Sequence, residues 1–359
     1  MKAIAVLPGQ PYSAHLRDLP TPEINDDEVL VRSTRAGVCA TDREINQGLY
    51  GTAPLGQEYL VLGHESSGVV ERVGKNVSGF SVGQSVVRAV RRSCHSCRNC
   101  HAGANDMCST GNVIESGIKE LDGCMAEYWK DQPSYLIPVP HDLADVSVLL
   151  EPLSVVEKAW RQAQQIQQRL SWEPRKALVM GAGPIGLLQA MLLADYGVEV
   201  SVLARSPPGN LKSRIVEQIG AQYYSTSLLT LDDIAKKVGL VDFVVEASGD
   251  SHLAFVAMKM IRNNGVVCLT SITGGNTQMT IPSDKINLDY VLGNKVMFGT
   301  VNANLVDYQR GVQDLERLMN RWPGLLPQLF TRRVALSNFE QAFAPARDDI
   351  KVTVEISSL

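Results

Sequence analysis

The stretch KALVMGAGPIGLLQAMLLADYGVEVSVLARS, residues 176–206, decides the fold. KALVM reads as a buried strand, and Gly181-Ala-Gly183-Pro184-Ile185-Gly186 follows it directly. LLQAMLLADYG then reads as a helix and VEVSVL as the next strand. G-x-G-x-x-G alone is a weak signal, but strand before and helix after are the context a dinucleotide turn requires. Gly181 permits the tight turn, Gly183 lets backbone approach a pyrophosphate, and Gly186 lets helix and strand pack closely. Pro184 and Ile185 open the helix, whose N-terminal N–H groups and dipole suit phosphate. A plain structural turn in an α/β domain is the alternative reading.

Outward from this turn, strand and helix keep alternating. SVVEKAWRQAQQIQQRL, from about Glu151, is a long helix ahead of it, and VDFVVEAS, HLAFVAMKMI, GVVCLTSI and KVMFGTV follow it. Apolar strands alternating with helices imply a doubly wound parallel sheet covered on both faces. Residues 1–90 differ: MKAIAVL, EVLVRSTRAGV, ESSGVVERVG and VGQSVVRAV are short strands punctuated by Gly and Pro. TVEIS, at 352–357, is expected to close the chain as a hairpin, with residues 302–359 returning to the first domain. An irregular β domain thus brackets an α/β domain.

Length agrees, because 359 residues exceed what one core usually holds. With 45% hydrophobic and 20% charged residues, the composition is that of an ordinary globular protein. The net charge of −4 has no basic block behind it, which argues against nucleic acid or a membrane surface as partner. MKAIAVLPGQP is too short an apolar run for a signal or a span, so a cytoplasmic protein is expected.

Cofactor choice turns on the end of VEVSVLARS. NAD enzymes usually carry an acid there for the ribose 2′-hydroxyl. Glu199 stands at the strand's start, out of reach, and the strand end holds Arg205 followed by Ser206. A cation there suits the 2′-phosphate of NADP. A solvated loop arginine with use of both cofactors is the other reading.

Two groups of residues suit metals. Cys94-x2-Cys97-x2-Cys100-x7-Cys108 packs four thiols into fifteen residues. Four thiolates enclose a tetrahedral zinc and leave no open position, which is a structural role. Metal-free cysteines and an iron–sulfur cluster are the alternatives, although the spacing matches neither ferredoxin pattern. The second group is dispersed: Cys39 in GVCATD, His64 and Glu65 in LGHES, and Glu151 in LLEPL. A thiolate, an imidazole and carboxylates suit a zinc that keeps a position open. Singly, each has a bland reading: a core thiol, a buried histidine, a helix N-terminal acid.

Taken together, GVCATDREI, LVLGHESSGVV, VRRSCHSCRNCHAG, ESGIKELDGCMAEYW, LLEPLSVVEKA, GAGPIG, NKVMFGTVNAN and DIKVTVEIS resemble the zinc-dependent medium-chain alcohol dehydrogenases. Within that superfamily the chain resembles the archaeal-type glucose dehydrogenases, from end to end. The resemblance implies a GroES-like β-rich catalytic domain at 1–160 and 301–359, carrying a structural zinc lobe at about 91–110. A Rossmann domain at 161–300 and assembly into dimers or tetramers are implied as well. It makes Cys39 and His64 catalytic zinc ligands, Glu65 a ligand or exchangeable ligand, and Glu151 the carboxylate at the substrate-side coordination position of the catalytic zinc. Asp42 would orient His64, and Thr41 would contact the substrate oxygen and pass its proton to water. Glu115 and Asn302 match sugar-hydroxyl contacts, Asn302 also bordering the cofactor. Three departures stand out: Leu292 and Val90 replace a histidine and an asparagine of some relatives, and Arg205 lacks a second arginine after it.

The expected reaction is oxidation of the C1 hydroxyl of an aldose, D-glucose first, to the lactone, with NADP or NAD as acceptor. A polyol, threonine or other alcohol dehydrogenase of the same frame is the near alternative. A non-catalytic NADPH-binding regulator is the alternative from another class, against which the complete set Cys39, His64, Glu65 and Glu151 speaks.

Overall fold

The computed structural model describes residues 1–358. The chain divides into two compact units, Met1–Ser154 with Asn302–Glu316 and Leu326–Leu359, and Val155–Val301 with Arg317–Leu325.

In the first unit the strands are β1 (Lys2–Val6), β2 (His15–Asp18), β3 (Val29–Val38), β4 (Leu60–Val61), β5 (Glu65–Val73) and β6 (Ser85–Arg88). They continue with β7 (Glu115–Ser116), β8 (Glu120–Leu121), β9 (Tyr128–Asp131) and β10 (Leu136–Pro138). Two short helices, α1 (Ala40–Asn46) and α2 (Arg98–His101), interrupt them, and α3 (Leu150–Gln167) leads onward. The second unit holds β11 (Lys176–Met180), α4 (Pro184–Asp195), β12 (Glu199–Ala204), α5 (Leu211–Gln218), β13 (Gln222–Ser225) and α6 (Leu231–Val238). Then come β14 (Val241–Glu246), α7 (Ser251–Met260), β15 (Ile261–Leu269), α8 (Ser283–Leu292) and β16 (Val296–Gly299). The chain closes with α9 (Leu305–Arg321), β17 (Phe330–Ala335), α10 (Glu340–Phe343) and β18 (Lys351–Glu355).

The sheet of the second unit runs β13-β12-β11-β14-β15-β16 with every pairing parallel. That order reverses beside β11, the strand that enters the glycine turn, which is the switch point of a doubly wound sheet. β11 and β14 are apolar along nearly their whole length because helices cover both faces, and Leu178, Met180, Val244 and Val267 form the core between them.

The main sheet of the first unit runs β10-β6-β5-β3-β18-β17, with β9 also pairing β3. Its inward residues, among them Val31, Val38, Val70, Val86, Trp129, Val352 and Val354, make the core. The chain's end departs from the expected hairpin. β18 lies inside the sheet, parallel to β17 and antiparallel to β3. The link through α10 carries the chain back to the sheet edge where β17 began, which makes the pair parallel.

Residues 317–325 also depart from the expected return to the first domain. Arg317 Nε and Arg321 Nη1 lie 3.0 and 3.1 Å from the two carboxylate oxygens of Asp195 at the end of α4, so charge pairs hold this segment in the second unit. The first change of unit comes within α3, after Ser154, where the reading placed the boundary at 160. Among the described residues no helix is long and apolar enough to cross a membrane.

Candidate active site

β3 ends where β5 begins, because the two strands are antiparallel with Gly37 opposite Glu65. That register brings Cys39, just past the end of β3, beside His64, just before β5. Cys39 Sγ stands 3.1 Å from His64 Nε2. Cys39 also caps α1: its Sγ accepts the Thr41 N–H at 3.2 Å, while its own N–H donates to Asp42 Oδ2 at 2.9 Å. Asp42 is wholly buried, and its other oxygen faces His64 Nδ1 at 3.4 Å.

Glu65 is set by two neighbours. A side chain at Gly37 would overlap its carboxylate, so the strand opposite must be bare there. Lys351 on β18 places Nζ 2.6 Å from both Glu65 oxygens, and the two side chains are only 1% and 2% exposed.

Electrostatics follow from this crowding. Burial disfavours a charged His64, but the neighbouring Cys39 and Asp42 charges outweigh it and hold the ring well above its ordinary pKa. Burial likewise opposes ionisation of Asp42, yet His64 and the Cys39 N–H keep it below the usual carboxylate range. Lys351 is raised, since Glu65 and Cys39 overcome the desolvation that would lower it. Glu151 goes the other way: burial dominates and pushes it up to about 7, despite the nearby His64.

Donor atoms of Cys39, His64 and Glu65 lie within 4.8 Å of one another, and Glu151 stands outside that set. Ligands around a tetrahedral zinc are roughly 3.5 Å apart, given bonds of about 2.0–2.3 Å. The Cys39–His64 separation is near that value, so the donor set fits zinc. It also leaves room for an open position.

A second polar group is built around Glu115. Glu115 begins β7, and its carboxylate Oε1 accepts Arg91 Nε at 3.0 Å, Arg91 Nη2 at 2.9 Å and Asn302 Nδ2 at 2.8 Å. Glu115 and Asn302, both expected from the resemblance to contact sugar hydroxyls, are therefore direct hydrogen-bond partners. Asn302 adopts the left-handed φ of 61° and caps Ala303 with its own side-chain oxygen. Gly117 and Gly123 press backbone against Gly63, the residue before His64, where any side chain would overlap the Gly63 carbonyl. Val90 is buried, its carbonyl accepting the Ser116 N–H at 3.0 Å. Leu292 is 72% exposed on α8.

The four lobe thiols also converge within 4.8 Å. Cys97 Sγ and Cys108 Sγ are 4.0 Å apart, against about 3.8 Å expected for two thiolates on one zinc. His95, at a left-handed φ of 53°, turns the chain between the first two. Cys94 is drawn down to about 4 by the Ser96 and Thr110 hydroxyls, and Cys97 to about 7, chiefly by the Cys100 N–H. Burial instead lifts Cys100 to about 11. Four sulfurs and no carboxylate fit a closed zinc site.

At the glycine turn, Gly181 has φ 115°, and a side chain there would stand 2.5 Å from the Ala247 carbonyl. One at Gly186 would overlap the Gly181 carbonyl, whereas one at Gly183 would project into open space. That open side is where a pyrophosphate needs bare backbone. α4 starts with Pro184 and has no side-chain cap, which leaves its first N–H groups to a ligand. Arg205 is exposed past the end of β12, and its side chain makes no hydrogen bond or ion pair among the described residues.

Comparisons agree along the whole chain. A family described as Alcohol dehydrogenase GroES-like domain matches residues 25–141, and one described as Glucose dehydrogenase C-terminus matches residues 144–356. A glucose 1-dehydrogenase of Methanocella arvoryzae is 46% identical over 359 residues, covering 100% of each chain. The chain belongs to the glucose dehydrogenase family. Within the family, the glucose 1-dehydrogenase of Thermoproteus tenax is 36% identical over 360 residues and 100% of each chain. The solved structure of Haloferax mediterranei glucose dehydrogenase in complex with NADP, zinc and gluconolactone matches at 31% identity, with a TM-score of 0.91 over 100% of each chain. The GroES-like and Rossmann frame expected from sequence is borne out.

Four site residues escaped the sequence reading of this family member: Gly37, Tyr50, Arg91 and Lys351. Burial pushes the Tyr50 phenol up to about 12, with the Thr41 side chain acting in the opposite direction. Only Gly37 had a nearby signal, sitting two residues before Cys39 in GVC. Lys351 lies 286 residues from its partner, and no local pattern announces it.

Proposed function

We propose that this protein oxidises the C1 hydroxyl of D-glucose to the lactone, with NADP as the preferred acceptor and zinc in both thiol-bearing sites. One observation carries the reading: the backbone of Gly117, two residues after Glu115 with its hydroxyl-binding carboxylate, packs tightly against Gly63, the residue before His64 of the Cys39–His64–Glu65 donor set. The full-length likeness to glucose 1-dehydrogenases supports it.

Cys39 and His64 would hold the catalytic zinc, Glu65 serving as ligand or exchangeable ligand and Glu151 facing the substrate side. Zinc there supplies Lewis acidity to the sugar oxygen, and the nicotinamide supplies a hydride acceptor. Asp42 holds His64 in orientation from behind. Thr41's hydroxyl would take the sugar hydroxyl's proton toward water as the C1 hydrogen leaves with its electron pair. Glu115 and Asn302 hold ring hydroxyls, so that C1 is fixed in place. Gly181, Gly183, Pro184, Ile185 and Gly186 receive the pyrophosphate, and Arg205 pairs with the 2′-phosphate. Cys94, Cys97, Cys100 and Cys108 would enclose the structural zinc.

A panel of aldoses, polyols, threonine and simple alcohols, each with NADP and NAD, tests this by absorbance of the reduced nicotinamide. D-glucose with NADP should give the highest kcat/KM. Arg205→Asp removes a charge-assisted contact of about 1.5–3 kcal/mol, so the NADP/NAD ratio should fall roughly tenfold or more. Turnover of threonine or simple alcohols with none of any aldose overturns the sugar reading. Equal efficiency with both cofactors overturns the NADP preference.

A further inference from the structure

Arg91 belongs to neither donor set and neither end of the dinucleotide turn, yet it is among the most constrained side chains beside Glu115. The two residues face each other across an isolated antiparallel bridge, and both are nearly buried, at 15% and 16% exposure. Arg91 spends Nε and Nη2 on a single oxygen, Glu115 Oε1, which also accepts Asn302. Three donors saturate that oxygen. Oε2 accepts no hydrogen bond among the described residues, so it is the oxygen left to a ligand.

The remaining groups of Arg91 reach into the cysteine lobe. Nη1 donates to the Asp106 carbonyl at 3.2 Å, and the Arg91 carbonyl accepts Asn105 Nδ2 at 2.7 Å. Asn304, two residues after Asn302, donates Nδ2 to the Gly103 carbonyl at 2.7 Å and to Asp106 Oδ1 at 3.0 Å. A closed ring of polar contacts therefore runs from Glu115 through Arg91, the lobe and Asn304 back to Asn302. A glutamate's last torsion is broad, so an unrestrained carboxylate would sweep both oxygens through the site. The planar guanidinium fork removes that freedom, which a lysine's single point charge would not.

We infer that Arg91 is a positioning residue that fixes Glu115 Oε2 toward one sugar hydroxyl and so sets discrimination for the sugar bearing it. This rests on the glucose reading above. A site built to pair with a hydroxyl rejects the analogue lacking it, provided its own polar group is held in place.

The test compares D-glucose with the 2-, 3-, 4- and 6-deoxyglucoses in the zinc-loaded enzyme and in Arg91→Gln, with thermal melts and NADP binding as controls. In wild type one deoxy analogue should have the weakest kcat/KM. In Arg91→Gln the KM for glucose should rise roughly tenfold, the value of one charge-assisted hydrogen bond. That analogue's KM should stay unchanged, kcat for glucose should hold within about threefold, and NADP affinity should not move. Arg91→Lys should retain part of the discrimination. A merely structural role would lower the melting temperature and weaken every sugar alike, and that result overturns the inference. So does an Arg91→Gln enzyme that keeps the wild-type discrimination. If Arg91→Gln does not fold, the same ratio is read in Arg91→Lys, where full discrimination overturns it. A wild type that oxidises no aldose takes down the glucose reading and this inference together, whereas wild-type discrimination surviving in the variant defeats only the role of Arg91.

Discussion

Lys351 and Glu65 show how a single pair holds the site's charge balance. Both are nearly inaccessible to water, and Lys351 Nζ reaches both carboxylate oxygens. Removing one partner of a buried pair leaves the other charge uncompensated, which typically destabilises by about 3–5 kcal/mol, whereas replacing both is often nearly neutral. Lys351→Met should therefore lower stability to urea by an amount of that order, and Lys351→Met with Glu65→Gln should recover much of it. Turnover should not recover in the double variant, because Glu65 remains altered. Unfolding curves that superimpose for wild type and Lys351→Met would show that the pair holds nothing. Gly37 complements the pair from the other side: the space Glu65 occupies exists because β3 carries no side chain there.

At the scale of elements, the two thiol-bearing sites differ in how they are built. Cys39 and His64 are brought together by strand pairing between β3 and β5, so these two donors sit on a scaffold that is formed without them. The lobe has little else. α2 is four residues long, and the neighbouring segments are turns and a single short 3₁₀ turn over Asn105–Met107. A lobe with so little hydrophobic core should depend on the zinc proposed for its four thiols. Elemental analysis should find about two zinc per chain in wild type, by the two donor sets. Cys97→Ser should lose one zinc and lower the melting temperature, while Cys39→Ala should melt near wild type and lose turnover. Full activity in Cys39→Ala would remove the catalytic assignment. The same contrast explains what was legible in the sequence. Close spacing announced the lobe cysteines, and the strand–glycine–helix pattern announced the turn at Gly181, because both are local. Arg91 and Lys351 owe their roles to partners across strand registers, and β18's place between β17 and β3 depends on the path through α10. None of these leaves a periodic or spaced mark on the chain.

For the molecule as a whole, the second unit presents a surface that a lone copy leaves costly. β16 is the last strand of its sheet and, among the described residues, pairs only with β15, so its outer N–H and C=O groups form an open edge. Met297 on that edge is 41% exposed, and Val301 just beyond it 48%. Leu288, Val291 and Leu292 occupy one face of α8 at i, i+3 and i+4, with exposures of 56%, 65% and 72%. Monomeric proteins seldom leave apolar side chains clustered beside an unpaired strand. A second copy related by a twofold axis satisfies both features, its own β16 running antiparallel to the first and the α8 faces covered alongside. We propose that the protein is a homo-oligomer built on this contact. Light scattering should give a mass of 39.1 kDa multiplied by two or by a larger even number. Adding charge at the edge and on the helix, as Met297→Lys with Leu292→Glu, should lower that mass, to the single chain where this is the only contact, with the far-ultraviolet circular dichroism unchanged. Neither substitution touches the zinc donors or the glycine turn, so loss of assembly and loss of those sites can be told apart. A wild type that scatters as a single chain at micromolar concentration would overturn the assembly while leaving the chemistry of Cys39, His64 and Glu115 untouched.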